Sequence, residues 1–125
     1  MLGTCLRRHM LDFEAAARGE ENNTTARDIL RFFSLLQEDA VLTPALCETA
    51  RRILLAQRDK AYLMYAMPKQ RAAHKTGELP GIRHDAGILY GRKRTVGFSV
   101  LTQADNENSG TAFLRQAGVL LRSFL

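Results

Sequence analysis

The spacing of apolar residues divides the chain into a helical part and a strand-rich part. Leu6, Met10, Phe13 and Ala17 recur at helical intervals and predict a first helix over residues 4–18, closed by Gly19. A short polar loop, GEENN, follows. Ile29, Leu30, Phe33 and Leu36 mark a second helix. Thr24 or Thr25 caps it, Asp28 stands three residues after Thr25 in a capping-box arrangement, and Glu38-Asp39 ends it. Thr43-Pro44 opens a third helix, with Thr at the cap and Pro in the first helical position. Its inward face is read as Leu46, Ala50, Ile53 and Leu54, and it frays at Gln57-Arg58-Asp59. The apolar stretch AYLMYAMP makes a short turn or helix that stops at Pro68.

Beyond residue 70 the period shortens. Residues 72–77, 86–90 and 95–102 read as strands, the last rich in β-branched and aromatic residues, with residues 91–94 as a hairpin connection. After the polar loop ADNENSG, the spacing of Phe113, Ala117, Leu120, Leu121 and Phe124 predicts a terminal amphipathic helix lying on the sheet. Helices, then three antiparallel strands, then a helix give an α+β fold in a single domain. Strands such as GILYG and VGFSVLT are apolar on both faces, so one helix leaves a sheet face in need of a partner.

Composition narrows the possible functions. A chain of 125 residues, 46% hydrophobic and 25% charged, suits one globular domain. No apolar run approaches the length needed to span a membrane, and MLGTCLRRHM has neither the apolar core nor the cleavage site of a secretory signal. The net charge of +5 favours anionic partners. The basic residues are scattered, the only run is Arg92-Lys93-Arg94, and aromatics are not interleaved with them, which argues against nucleic acid. Cys5 and Cys47, with His9, His74 and His84, show no metal-ligand spacing, so no metal or other cofactor is expected and both thiols are read as core residues.

The candidate chemistry lies in HKTGELPG, residues 74–81. A phosphate-binding loop needs Gly directly before Lys, and His74 stands there. A serine-hydrolase elbow begins at Gly97-Phe98-Ser99 but Leu101 breaks it, and no His-Glu-x-x-His is present. The Lys75-Thr76-Gly77 triplet remains, at a strand start and followed by Glu78-Leu79-Pro80-Gly81. By itself it reads better as a solvated strand end, and its context decides otherwise. Upstream stand T-x-L-x-R-x-M-x-D-x-E-A from Thr4 and Asn22-Asn23-Thr24-Thr25-Ala26-Arg27-Asp28.

Together these motifs resemble the C-terminal half of the class A β-lactamase-like serine hydrolases, over about residues 3–124. The resemblance implies a helical lobe, to which residues 1–70 contribute, beside an antiparallel sheet and its helix in residues 71–125, with the active site between them. It implies a β-lactam or other carboxylate-bearing small molecule as ligand. Lys75 would supply positive charge to that carboxylate, Thr76 a hydroxyl hydrogen bond, and Gly77 room for close backbone approach; the N–H of Glu78 would be one of two oxyanion donors. Arg83, read as lying in the loop after the first strand, would add a second cation or stand solvated. His74, alternating away from Lys75, is read as a structural hydrogen-bonding residue and Asp85 as a turn or salt-bridge residue.

Two departures accompany the resemblance. None of Ser34, Ser99, Ser109 and Ser123 has Lys three residues on, and no Ser-Asp-Asn occurs, so both other motifs of the family are missing and the chain alone is expected to be inactive. Met10 falls where the family places the glutamate that activates water, and a thioether cannot take that proton; Asp12 or Glu14 would substitute or simply face solvent. The chain then reads as a truncated product, an internal start or one half of a split enzyme, or alternatively as a non-catalytic module pairing with another chain or itself. The family is periplasmic or secreted, whereas this sequence carries no signal and as written is cytoplasmic.

Overall fold

The computed structural model describes residues 2–125. Three strands, β1 (Ala72–Leu79), β2 (Ile82–Tyr90) and β3 (Thr95–Gln103), form one antiparallel sheet in the order β1-β2-β3. β1 and β2 are joined by Pro80-Gly81 alone, Pro80 presetting its φ and Gly81 taking a φ of +71°. That turn lets the ladder run to Leu79↔Ile82, so Arg83, His84 and Asp85 are strand residues rather than loop residues. Their charge hides the strand pattern, yet they alternate: Arg83 and Asp85 lie on one face and His84 on the other.

The helices are α1 (Phe13–Ala17), α2 (Ala26–Gln37), α3 (Pro44–Leu55) and α4 (Glu107–Arg122), with a 3₁₀ turn at Leu63–Ala66. Both faces of the sheet are covered by the chain's own residues, contrary to the expectation of an unsatisfied face. On one side Leu63, Met64 and Met67 pack with Ala72, Leu89 and Phe98, closed over by Ala117 and Leu121 of α4. On the other, Phe33 and Leu36 of α2 and Cys47 of α3 pack on Ala86 and Ile88. Each fully buried aliphatic or aromatic side chain in these layers contributes roughly 1.5–3 kcal/mol. What stays open is the outer edge of β1, the outer edge of β3 and the outward face of α4.

Two helix phases differ from the periodicity reading. α3 turns Cys47, Ala50 and Leu54 inward, leaving Leu46 and Ile53 exposed. α4 buries Gly110, Leu114 and Gly118, leaving Phe113, Leu120 and Phe124 exposed. In both, more apolar residues ring the helix than one face can bury, so spacing alone admits two phases.

The expected helix over residues 4–18 shrinks to Phe13–Ala17, because polar side chains take its backbone groups. Cys5 and Asn23 exchange backbone hydrogen bonds of 2.9 and 3.0 Å. Asn22 Oδ1 accepts from the N–H groups of Arg7 (2.8 Å) and Arg8 (3.0 Å), and Asn22 Nδ2 donates to Arg8 O. Thr25 Oγ1 caps α2 by accepting from Asp28 N, while the Asp28 carboxylate accepts from Gly3 N (2.9 Å) and Thr4 Oγ1 (2.8 Å) instead of closing a capping box. Residues 3–23 thus form a loop pinned at its base, with Leu6, Met10 and Phe13 exposed. Cys5 is an exposed free thiol, not a core residue, whereas Cys47 is free and buried as read.

Candidate functional site

Lys75, Thr76, Gly77 and Glu78 are consecutive residues of β1, an edge strand. Tyr90 N donates to Arg71 O at 3.0 Å, which fixes the phase of the antiparallel ladder. Alternating from that pair, Lys75 and Gly77 exchange hydrogen bonds with β2, and Thr76 and Glu78 turn their own N–H and C=O groups out to the open edge. The strip therefore presents two backbone donors at the same edge as a lysine ammonium.

Side chains alternate across this strip. The Lys75 side chain is exposed, and its Nζ folds back to donate to Thr76 O at 2.6 Å, which holds the ammonium at the strand edge. Thr76, on the opposite face, donates its hydroxyl to Asp59 Oδ2 at 3.0 Å, and Asp59 Oδ1 is itself held by Ala61 N. The Glu78 carboxylate accepts from Tyr62 Oη at 2.6 Å. Burial, reinforced by the Glu78 carboxylate, pushes the Tyr62 phenol up to about 12, so it stays a donor.

Arg83 lies on the same face as Glu78, its cross-strand neighbour. Its buried guanidinium donates to Leu79 O and Ile82 O, both at 2.7 Å, and pairs with Glu107 at 2.7 Å and Glu78 at 3.5 Å. It braces the Pro80-Gly81 hairpin and reaches the strip through Glu78.

Beneath the strip, His74 Nδ1 meets Asp85 Oδ1 at 2.9 Å, both side chains almost wholly buried, and Asp85 Oδ2 accepts from Leu63 N at 3.2 Å. Burial pushes the Asp85 carboxyl up, while the His74 contact draws it back down. Asp85 is thus a buried strand residue hydrogen-bonded to His74, and it stands directly across from Thr76.

The structure brings Lys75, Thr76, Gly77 and Glu78 together and adds Asp59 and Tyr62, which sequence reasoning missed. Asp59 registered only as a helix fray and Tyr62 only as part of an apolar stretch; neither carries a local signal of the residues it meets 16 or 17 positions on. Met10 is exposed in the pinned loop, Asp12 caps α1 by accepting from Ala15 N, and Glu14 is exposed. Ser99 Oγ is buried without a hydrogen-bond partner, Ser34 and Ser123 donate within their own helical turns, and Ser109 lies in the first turn of α4. Among the described residues no group of three His, Cys, Asp or Glu is placed to hold a metal ion, and no helix is long and apolar enough to cross a membrane.

No curated protein matches the chain at a significant level. Solved structures do. A β-lactamase from Sphaerobacter thermophilus superposes with a TM-score of 0.78 at 19% identity, over 98% of this chain and 47% of its own. A variant of the reconstructed class A β-lactamase of the last common ancestor of Gram-negative bacteria gives 0.80 at 22% identity, over 97% and 48%. PBP-A gives 0.74 at 20% identity over 85% and 42%, and a PBP-A mutant has been solved as an acyl-enzyme complex with penicillin G. The chain spans less than half the length of each, and at these identities the likeness establishes the fold. The model of the β-lactamase enzyme family matches residues 1–125 throughout, and the chain belongs to that family.

Proposed function

We propose that this chain supplies the carboxylate-gripping wall of a serine β-lactamase-type site. The observation that carries it is the open edge of β1, where the Lys75 ammonium lies beside the outward N–H groups of Thr76 and Glu78. An anionic amide or lactam laid along this edge takes the Lys75 ammonium on its carboxylate and the Glu78 N–H on its carbonyl oxygen, and the Thr76 hydroxyl joins the carboxylate by giving up its bond to Asp59. Gly77 keeps the strip clear of a side chain on its own face, and Arg83, paired with Glu78 and Glu107, braces the strip from behind.

Acyl transfer needs a nucleophile, and none of the four serines stands in a Ser-x-x-Lys. In this reading the nucleophile and the second oxyanion donor come from residues outside this sequence, in a longer chain or a separate one. The open edge of β3 and exposed Phe113, Leu120 and Phe124 on α4 are where that complement docks. A place in β-lactam resistance, outside the cytoplasm, belongs to the same proposal. The same open surfaces favour a second reading, a non-catalytic module that pairs with itself.

Fluorescent penicillin tests both. The purified chain is expected to bind it reversibly, shifting the Thr76–Glu78 amides, and to acquire no covalent label. Lys75→Ala weakens binding by about tenfold or more, the worth of one charge-assisted hydrogen bond. Covalent labelling of this chain alone refutes the reading. Covalent labelling of an added N-terminal half only when both are present supports a split enzyme, and self-association without ligand binding supports the module.

A further inference from the structure

The one basic run in the sequence, Arg92-Lys93-Arg94, takes no part in the site on β1. It forms the β2–β3 hairpin, at the end of the sheet opposite Pro80-Gly81. There it meets two other elements. A cavity of about 520 Å³ is walled by Arg92 and Lys93 of the hairpin, Lys69 from the turn before β1, and Arg122 from the last turn of α4. Ala66, Met67, Pro68 and Leu125 add apolar surface, and Gln70 completes the lining.

Four cations line this cavity, and no Asp or Glu is among its lining residues. None of them makes an ion pair among the described residues, whereas Arg8, Arg18, Arg51 and Arg83 all do. The reason is written in the chain: the segments that build the cavity, residues 60–77, 86–104 and 108–125, contain no Asp or Glu at all. Half of the chain's 18 basic residues lie on those segments. Gathering like charges around a concave surface costs free energy in the empty protein and focuses positive potential into the cavity. Its volume is that of a small-molecule site. Arginine forks suit the tetrahedral oxygens of a phosphate, and lysine serves as a point charge beside them.

We infer that this cavity is a second ligand site, separate from the β1 edge, for an organic phosphate: Lys69, Arg92, Lys93 and Arg122 hold the phosphate and the apolar lining takes its organic part. The phosphate belongs either to a soluble ester or to the headgroup of an anionic lipid. The inference does not rest on the β-lactam reading, since no residue is shared between the two sites.

Phenyl phosphate titrated into the full chain, followed by amide NMR, tests it. Saturable shifts are expected at Gln70, Gly91 and Lys93, weakening with added salt. A Lys93→Gln/Arg122→Gln variant is expected to bind at least tenfold more weakly, and Lys75→Gln to bind as the wild type does. Removing two like charges from this exposed cluster leaves folding intact, which unchanged thermal unfolding verifies. Vesicles of phosphatidylglycerol, compared with phosphatidylcholine, separate the two sources: selective capture by the former in addition assigns the phosphate to a lipid headgroup, and binding of phenyl phosphate alone assigns it to a soluble ester. Absence of saturable binding to either probe, equal binding by the double variant, or loss of binding in Lys75→Gln overturns the inference.

Discussion

Replacing Asp85 by Ala removes, among the described residues, the only partner of two buried groups at once. His74 Nδ1 loses its 2.9 Å contact and Leu63 N its 3.2 Å acceptor. His74 is 2% exposed, so water does not replace what is lost. Each stranded group costs about 1–3 kcal/mol, so the two together cost about 2–6 kcal/mol. For a domain of this size about 1 kcal/mol moves Tm by about 4 °C, so Asp85→Ala is expected to melt about 8–24 °C lower. Thermal unfolding followed by far-ultraviolet circular dichroism, with urea titration as a second route, measures this. Asp85→Asn, which still accepts from Leu63 N, is expected to lose less. In the double-mutant cycle with His74→Ala the two changes should couple by about 1–3 kcal/mol. A loss under about 1 kcal/mol for Asp85→Ala, or strict additivity in the cycle, would show that the pair does not hold β1 to the layer beneath it.

Two further outcomes follow from the same geometry. A Cβ on Gly87 would lie 2.3 Å from Ala73 O and 2.6 Å from His74 Cα, so Gly87→Ala must push β1 away from β2; a loss of about 1–3 kcal/mol is expected, with displaced Thr76 and Gly77 amide shifts, and a change under about 0.5 kcal/mol would contradict it. The Thr4 hydroxyl, with the Gly3 N–H, holds the Asp28 carboxyl below its ordinary range against the opposing effect of burial. A carboxylate depressed in the folded state stabilises above its unfolded value and loses that contribution as pH falls through the folded one, so the pinned loop is expected to release below about pH 4. NMR shifts of Gly3 and Cys5 report it, Asp28→Asn should show the release already at neutral pH, and a loop that stays pinned in acid would remove Asp28 from its role.

Much of the fold was legible in local pattern. Strong signals sat where one physical cause dominated: Thr25 before α2, Thr43-Pro44 before α3, and β-branched residues in β3. Reading failed where two causes competed. Leu6, Met10 and Phe13 have helical spacing, but Asn22 and Asp28 take the backbone groups that helix would need, and those acceptors lie 14–25 residues away. Arg83-His84-Asp85 read as a loop because charge masked a strand whose turn needs only Pro80-Gly81.

The sequence by itself determined the chemistry available: a Lys-Thr-Gly strip, no Ser-x-x-Lys to go with it, and acid-free segments carrying half of the basic residues. Those are properties of residue type and order, which folding does not alter. Only the tertiary structure decided that β1 is an edge strand with Thr76 and Glu78 facing out, that Asp59 and Tyr62 stand behind them, and that Lys69, Arg92, Lys93 and Arg122 share one cavity. Each of these is a meeting of residues distant in the chain. Local propensity carries no term for such meetings; they are set by strand register and by which helix face the sheet has room to bury.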